Sequence, residues 1–226
     1  MSLAKPFTLR PAIPADIPAC ASTAAAAFAD SPLIRVIGPS SEEHTLAFWT
    51  AVAASAFDDP NAHLIVAEDT STSPASLLGF AKWVYVPAGS PPPNILDAGV
   101  AFASQATDGG EGGRIWAQTA DPALAERFFR EQNERHVKYM GQREHWYLEV
   151  ICTRPEGKGK GVGSGLLTWG VDRADANGCE AYLEASPEGR PLFEKFGWRV
   201  LERLEYLDGG YVECSMVRDA ALGRGC

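Results

Sequence analysis

The sequence predicts a mixed α/β fold: one twisted sheet with helices on both of its faces. Three observations carry that expectation. "HWYLEVICT", a glycine-rich stretch, "VGSGLLTWGVDRADANG" and "CEAYLEAS" follow one another as strand, turn, helix and strand, a βαβ unit whose two strands run parallel. "AHLIVAED" and "LLGFAKWVYVP", separated by the polar "TSTSPAS", read as an antiparallel hairpin. "WRVLERLEYL" and "YVECSMVRD" make a closing strand pair.

The remaining elements fill in around these. Phe7 to Arg10 is a short first strand, and Asp16 is placed to cap a helix through "IPACASTAAAAFAD". Ser41 is placed to cap a second helix, in which Leu46, Trp49, Val52, Ala53 and Ala56 recur at helical spacing. Residues 88–120 are rich in Pro, Gly and small side chains without a sustained period, so a long loop or covering insertion is expected there. Asp121 at a cap position and Pro122 at the first helical position open a further helix, with Leu124, Phe128, Val137 and Met140 on its apolar side. In the helix after the glycines, Val162, Leu166, Leu167, Val171 and Ala174 form the buried stripe and Gly178 ends it. "GRPLFEKFG" is a short helix. All of residues 1–226 are expected to form a single domain, a size that can bury a real core.

Composition narrows the function. A formal net charge of −9 argues against nucleic acid as partner and suits a cationic substrate. The five cysteines, at 20, 152, 179, 214 and 226, show no CxxC pair and no metal-like spacing with the four histidines, so neither a metal site nor a disulfide framework is expected. The N-terminus lacks a signal-peptide arrangement, and no run is long enough to span a bilayer. A soluble cytoplasmic protein is the expectation. His44 and His136 read as polar-face or packing residues and Cys152 as a core filler.

The stretch "RPEGKGKGVGSGLLTWG", residues 154–170, is the informative one. It fails the P-loop pattern, because neither Gly157-Lys158 nor Gly159-Lys160 is followed by Ser or Thr, and it fails GxGxxG in every register. Glycines between a strand end and a helix start still let backbone N–H groups converge on an anion, at a terminus that favours negative charge. Lys158 and Lys160 add local positive charge; the alternative is a flexible surface loop.

Lys158-Gly-Lys-Gly161-Val-Gly163, after a strand ending Val-Ile-Cys-Thr-Arg-Pro, resembles the acetyl-CoA signature Gln/Arg-x-x-Gly-x-Gly/Ala of the GNAT superfamily of N-acetyltransferases. "AYLEASPEGRPLFEKFGWRV" is similar to the second half of the same module. The resemblance is specific over residues 145–200, and the spelling "HWYLE … YLEAS" looks most like fungal members. It implies a mostly antiparallel sheet of six to seven strands with a splayed central parallel pair. Acetyl-CoA would be the co-substrate and a primary amine, most simply of a small molecule, the acceptor. The state is expected to be monomer or homodimer.

The resemblance also implies site residues. The strand at Ile151, Cys152 and Thr153 would offer backbone groups to the pantetheine arm. Lys158 and the amides of Gly159, Lys160, Gly161, Val162, Gly163 and Ser164 would hold the pyrophosphate. Lys158 stands where Gln or Arg is usual, which keeps charge but loses planar hydrogen bonding. Ser186 replaces the family's Asn, and Phe193 replaces its tyrosine, so the role of general acid is in doubt; Tyr206 or Tyr211 are alternatives. Glu149, on the same strand face as Tyr147 under simple alternation, is the first candidate for the base, unless a bulge interrupts the strand. Glu184 is the second, as base or substrate-charge partner. Two other functions fit less well: a catalytically silent acyl-CoA-binding domain, and a protein or peptide N-acetyltransferase.

Overall fold

The computed structural model describes residues 7–71, 75–93 and 119–221. Its strands are β1 (Thr8–Pro11), β2 (Ala62–Asp69), β3 (Ser76–Val86), β4 (His145–Thr153), β5 (Glu180–Ala185), β6 (Arg199–Tyr206) and β7 (Tyr211–Arg218). The helices are α1 (Ile17–Phe28), α2 (Ile34–Ile37), α3 (Glu42–Ala54), α4 (Pro122–Met140), α5 (Val162–Asn177) and α6 (Arg190–Lys195). The strands form one sheet in the order β1-β2-β3-β4-β5-β7-β6, antiparallel throughout except for the β4–β5 pair.

Local chemistry sets most element ends. Ser41 Oγ accepts the His44 N–H at the head of α3, and Asp121 Oδ1 accepts the Leu124 N–H at the head of α4, each satisfying an amide the helix cannot. Gly178 takes a left-handed φ of 68° to end α5. Asp16 precedes α1 without capping it; its carboxylate bonds the Arg10 guanidinium at 2.7 Å and the Ile13 N–H at 2.8 Å. The predicted covering insertion at 88–120 falls largely on residues 94–118, which lie outside the described residues. The short α2 has no counterpart in the sequence reading.

The sheet separates two apolar layers. On one face α1, α3 and α4 bury Cys20, Val52, Phe80, Phe128 and Tyr206. On the other, α5 and α6 bury Trp83, Leu166, Leu167, Leu183 and Phe193. In α4 the apolar pattern misplaces one residue: Val137 is 49% exposed, whereas Arg135 and His136 point inward. Polar partners wait for both on the sheet, which outweighs the apolar gain of burying a valine.

α5 lies close against β3. A Cβ on Gly170 would stand 2.1 Å from the Trp83 ring, and Trp83 Nε1–H donates to the Leu166 carbonyl at 3.3 Å. Trp83 is fully buried, so neither partner has room to give. Gly170→Ala is expected to destabilise the fold by about 2–3 kcal/mol, the scale of overpacking in a tight core. Chemical denaturation checks it, with exposed Thr168→Ala as a control that changes little.

Candidate active site

β4 and β5 run parallel but pair only over His145–Tyr147 and Glu180–Tyr182, although both strands continue. Beyond Tyr147 they part. Part of the cause lies in β4: the β3–β4 register shifts so that Trp83 opposes Leu148 and Lys82 opposes Val150, leaving Glu149 as the extra residue of a bulge. Alternation holds through Glu149 and inverts after it. Trp146 and Leu148 face α5, whereas Val150 and Cys152 face the α1 and α3 layer.

The parted edge of β4 is accessible. Ile151 and Thr153 are part-exposed, whereas Val150 and Cys152 are buried. The Cys152 carbonyl points to β3, where a Cβ on Gly79 would meet it at 2.5 Å. Main-chain groups alternate sides along a strand, so those of Ile151 and Thr153 point into the opening.

The glycine turn lies at the mouth of this opening. Gly157 is packed, with Leu78 O only 2.9 Å from where its Cβ would be. Gly159 and Gly161 have φ of 77° and 80°, which glycine adopts without strain, and open space where a side chain would be. Main-chain bonds run from Lys160 N to Gly157 O and from Gly165 N to Gly161 O; the amides of Val162, Gly163 and Ser164 therefore head α5 as first-turn donors. Lys158, Gly159, Lys160 and Gly161 are exposed. A Cβ on Gly163 would touch Leu192 at 3.3 Å and Thr153 Oγ1 at 3.7 Å, so the helix start, the β4 end and α6 converge. This cradle fits a pyrophosphate: donors, cations and no obstructing side chain.

The sheet face away from α5 carries the titratable groups. The Glu149 side chain is only 4% exposed, and its Oε1 accepts from Lys82 Nζ at 2.7 Å; Lys82 also donates to Ser55 Oγ at 2.8 Å. Glu184 on β5 takes the Tyr147 O–H on Oε2 at 3.1 Å, while its Oε1 is sealed from solvent without a partner. Burial pushes the Glu184 carboxyl up to about 7, against the opposing pull of nearby tyrosine hydroxyls and Arg135. His136 and His145 are buried with their Nε2 atoms 2.8 Å apart. His145 Nδ1 lies 2.7 Å from the Arg143 carbonyl, which accepts but cannot donate. His145 therefore carries its proton on Nδ1, and His136 Nε2–H donates to it. Burial pushes His136 down to about 2.

A splayed parallel pair thus lies between a glycine cradle on one sheet face and a sealed carboxyl on the other. The model of the acetyltransferase (GNAT) family matches residues 33–198. The chain belongs to the GNAT family. An uncharacterized N-acetyltransferase, YjcF, of Bacillus subtilis is 34% identical over 74 residues, 32% of this chain and 52% of YjcF; the match thus spans about half the length of that relative. Among solved structures, a histone acetyltransferase HPA2 and related acetyltransferase of Corynebacterium glutamicum aligns with a TM-score of 0.61 at 22% identity, over 97% of this chain and 99% of that one. An agmatine N-acetyltransferase aligns with a TM-score of 0.66 at 12% identity, over 95% and 99%. The expected likeness to fungal members has no support in the Bacillus relative.

Within this GNAT chain the remaining site residues fall as follows. Ser186 Oγ accepts the Gly189 N–H at 3.1 Å, and Phe193 is buried against Trp198 with ring centroids 6.1 Å apart. Tyr206 donates to Glu131 at 2.8 Å within the α4 layer, and Tyr211 is buried in the same apolar cluster. Among the described residues no group of His, Cys, Asp and Glu could hold a metal, and no helix is long and apolar enough to cross a membrane. Sequence reasoning passed over Lys82, Arg135 and Glu213. The available signal was a lone charge inside an apolar strand, as in "LLGFAKWVYV" and "YVECSMV".

Two outcomes are expected. Glu149→Gln and Lys82→Met each leave a buried charge unpaired and lower stability by roughly 3–5 kcal/mol. The double variant loses much less than the sum, which a denaturation cycle reads. Second, burial holds Glu184 at about 7 and Glu213 at about 8, above the unfolded value of 4.5. The native state thus binds more protons than the unfolded chain between pH 4.5 and 8, and the stability linked to these carboxyls falls as pH rises through that window. The melting temperature of Glu213→Gln falls less than that of the wild type between pH 6 and 9.

Proposed function

We propose that the protein transfers an acetyl group from acetyl-CoA to the primary amine of a small molecule, both bound at once, with Glu184 as the base. The opening between β4 and β5 carries this reading, because it joins the glycine cradle on one sheet face to a sealed carboxyl on the other.

Acetyl-CoA supplies an activated acetyl thioester. The amides of Gly159, Gly161, Val162, Gly163 and Ser164, with the side chains of Lys158 and Lys160, are assigned to its pyrophosphate. The edge of β4 at Ile151 and Thr153 is assigned to the pantetheine arm, which would pair with it as an added strand does; Cys152 holds that edge at its spacing from β3. Ser186, accepting from Gly189, keeps its own proton to donate, and Phe193 forms apolar wall. Having no proton to give, Phe193 is not an acid, and a thiol with an ordinary pKa of about 8.5 can depart as thiolate without one.

The acceptor enters as an ammonium and must lose a proton. Glu184 Oε1 is unpartnered, and a carboxyl held near 7 suits a base at neutral pH. Tyr147 fixes the other oxygen. Glu149, already engaged by Lys82, is assigned to shaping the acceptor side and pinning the bulge. A small cationic amine fits the net charge of −9. The four described cysteines are free and buried, in keeping with a cytoplasmic setting.

The test compares wild type, Glu184→Gln and Gly161→Glu, by acetyl-CoA calorimetry and by thiol release with ethanolamine, putrescine and phenethylamine. Glu184→Gln is expected to bind acetyl-CoA normally while kcat/KM falls about 10²–10⁴-fold at neutral pH. Gly161→Glu, folded by circular dichroism, is expected to lose binding. A folded wild type that binds no acetyl-CoA overturns the reading. Binding without turnover makes the chain a silent acyl-CoA-binding domain, and turnover of peptides alone makes it a protein acetyltransferase.

A further inference from the structure

Glu184 is not the only carboxyl sealed beneath α4. Glu213, on β7, is 3% exposed and accepts from Arg135 Nη2 at 2.6 Å and from Gln132 Nε2 at 2.8 Å. Arg135 also donates through Nε to Ser215 Oγ at 2.9 Å. Ser215 lies directly across the β5–β7 ladder from Glu184. The guanidinium is therefore moored to β7 by Nε and Nη2, over the register position of Glu184. Its third nitrogen, Nη1, is buried without a partner, as is Glu184 Oε1. The guanidinium pairs with Glu213, and Glu184 lies on the adjacent strand at the level of Ser215.

We infer that Arg135 and Glu213 are positioning residues for Glu184: the guanidinium draws Glu184 towards its ionised form, and Glu213, by engaging that guanidinium, keeps the pull partial. The functional meaning of this rests on the reading of Glu184 as the base. A full pull would leave Glu184 ionised but too weak a base to take a proton from an ammonium. No pull would leave a buried carboxyl protonated at neutral pH and unable to accept one. Glu213 has both oxygens engaged, by Arg135 and by the Gln132 amide, so Glu184, with one oxygen unpartnered, is the member of the pair free to exchange.

The other groups around Glu184 belong to four elements. β4 brings Tyr147, with Glu149 next to it and Lys82 of β3 paired to Glu149. Tyr182, two residues along β5, brings its hydroxyl near the Glu184 carboxyl and stacks on His136 of α4, with ring centroids 4.6 Å apart. His136 and His145 are held neutral by burial, so Arg135 is the cation that titrating Glu184 meets on the α4 side. The direction of the Glu184 carboxyl, raised by burial and lowered by the Tyr182 hydroxyl, Arg135 and the Tyr147 hydroxyl, agrees with the geometry.

The experiment follows the Glu184 side-chain carboxyl by carbon NMR in the full chain, its resonance assigned by its loss in Glu184→Gln. The wild-type midpoint is expected near pH 7. Glu213→Gln, which frees the Arg135 guanidinium from its mooring on the β7 carboxyl, moves it down by about one pH unit. Arg135→Gln moves it up by a similar amount. A midpoint unmoved in Glu213→Gln, or moved the same way in both variants, overturns the inference. If Arg135→Gln does not fold, Arg135→Lys keeps the cation and the Glu213→Gln shift decides alone. The acid limb of kcat/KM is then measured with whichever of the three panel amines turns over. A limb that tracks the NMR midpoint supports both readings. A midpoint that shifts while the limb stays leaves the coupling intact and removes Glu184 as the base.

Discussion

The early end of the β4–β5 ladder is the constraint on which the site depends. Two parallel strands hydrogen-bond for three residue pairs and then separate while both remain extended. Main-chain groups along such a parted edge need water or a tenant, and an extended polar chain satisfies them as a strand would. The bulge at Glu149 gives β4 one more residue than β3 can match and bends it locally. Lys82 then matters for more than charge: it ties the bulged residue back to β3 and, through Ser55, to the end of α3. A single ammonium holds the three pieces that frame the opening.

The same opening divides labour between the two sheet faces. On the α5 side, groups chemically suited to an anion are exposed or lie in a helix first turn: two positive-φ glycines, two lysines and a row of amides. On the α4 side the ionisable groups are sealed. Lys82, Arg135, Glu149, Glu184 and Glu213 set two cations against three carboxyls, with both buried histidines neutral. Such a cluster is unfavourable to bury unless its charges balance. Two routes restore balance, a proton on one carboxyl or a cation from outside. The proposed base role of Glu184 would use the second route, an ammonium beside it, and a proton passed to Glu184 would return the cluster to the first.

How much of this was legible in sequence depended on the range of the determining interaction. Caps, stripes and the glycine run are local. Ser41, Asp121, Gly178 and the five-residue stripe of α5 need neighbours only a few positions away, and all took the expected place. The bulge is a property of two strands about seventy residues apart, so alternation read along β4 alone could place Glu149 correctly and still invert everything after it. Val137 failed for a related reason. Apolar periodicity assumes that buried means apolar, and α4 buries Arg135 and His136 because Glu213, Ser215 and His145 meet them from distant strands.

That limit bears on how the base was ranked. From sequence, Glu149 had proximity to the presumed pantetheine strand, and Glu184 had little besides a second carboxylate in a second strand. Structure changes the terms of comparison, because what suits a carboxyl to take a proton is the state of its oxygens rather than its distance from a motif. Glu149 has an internal ammonium on one oxygen; Glu184 has the Tyr147 hydroxyl on one, no hydrogen-bond partner on the other, and the Tyr182 hydroxyl near its carboxyl. Neither difference appears in a strand pattern, since Lys82 and Tyr147 are both simply inward-facing residues of β3 and β4. The residues that distinguish two similar carboxyls are the ones around them, and here those come from α3, α4, β3, β4 and β7 together.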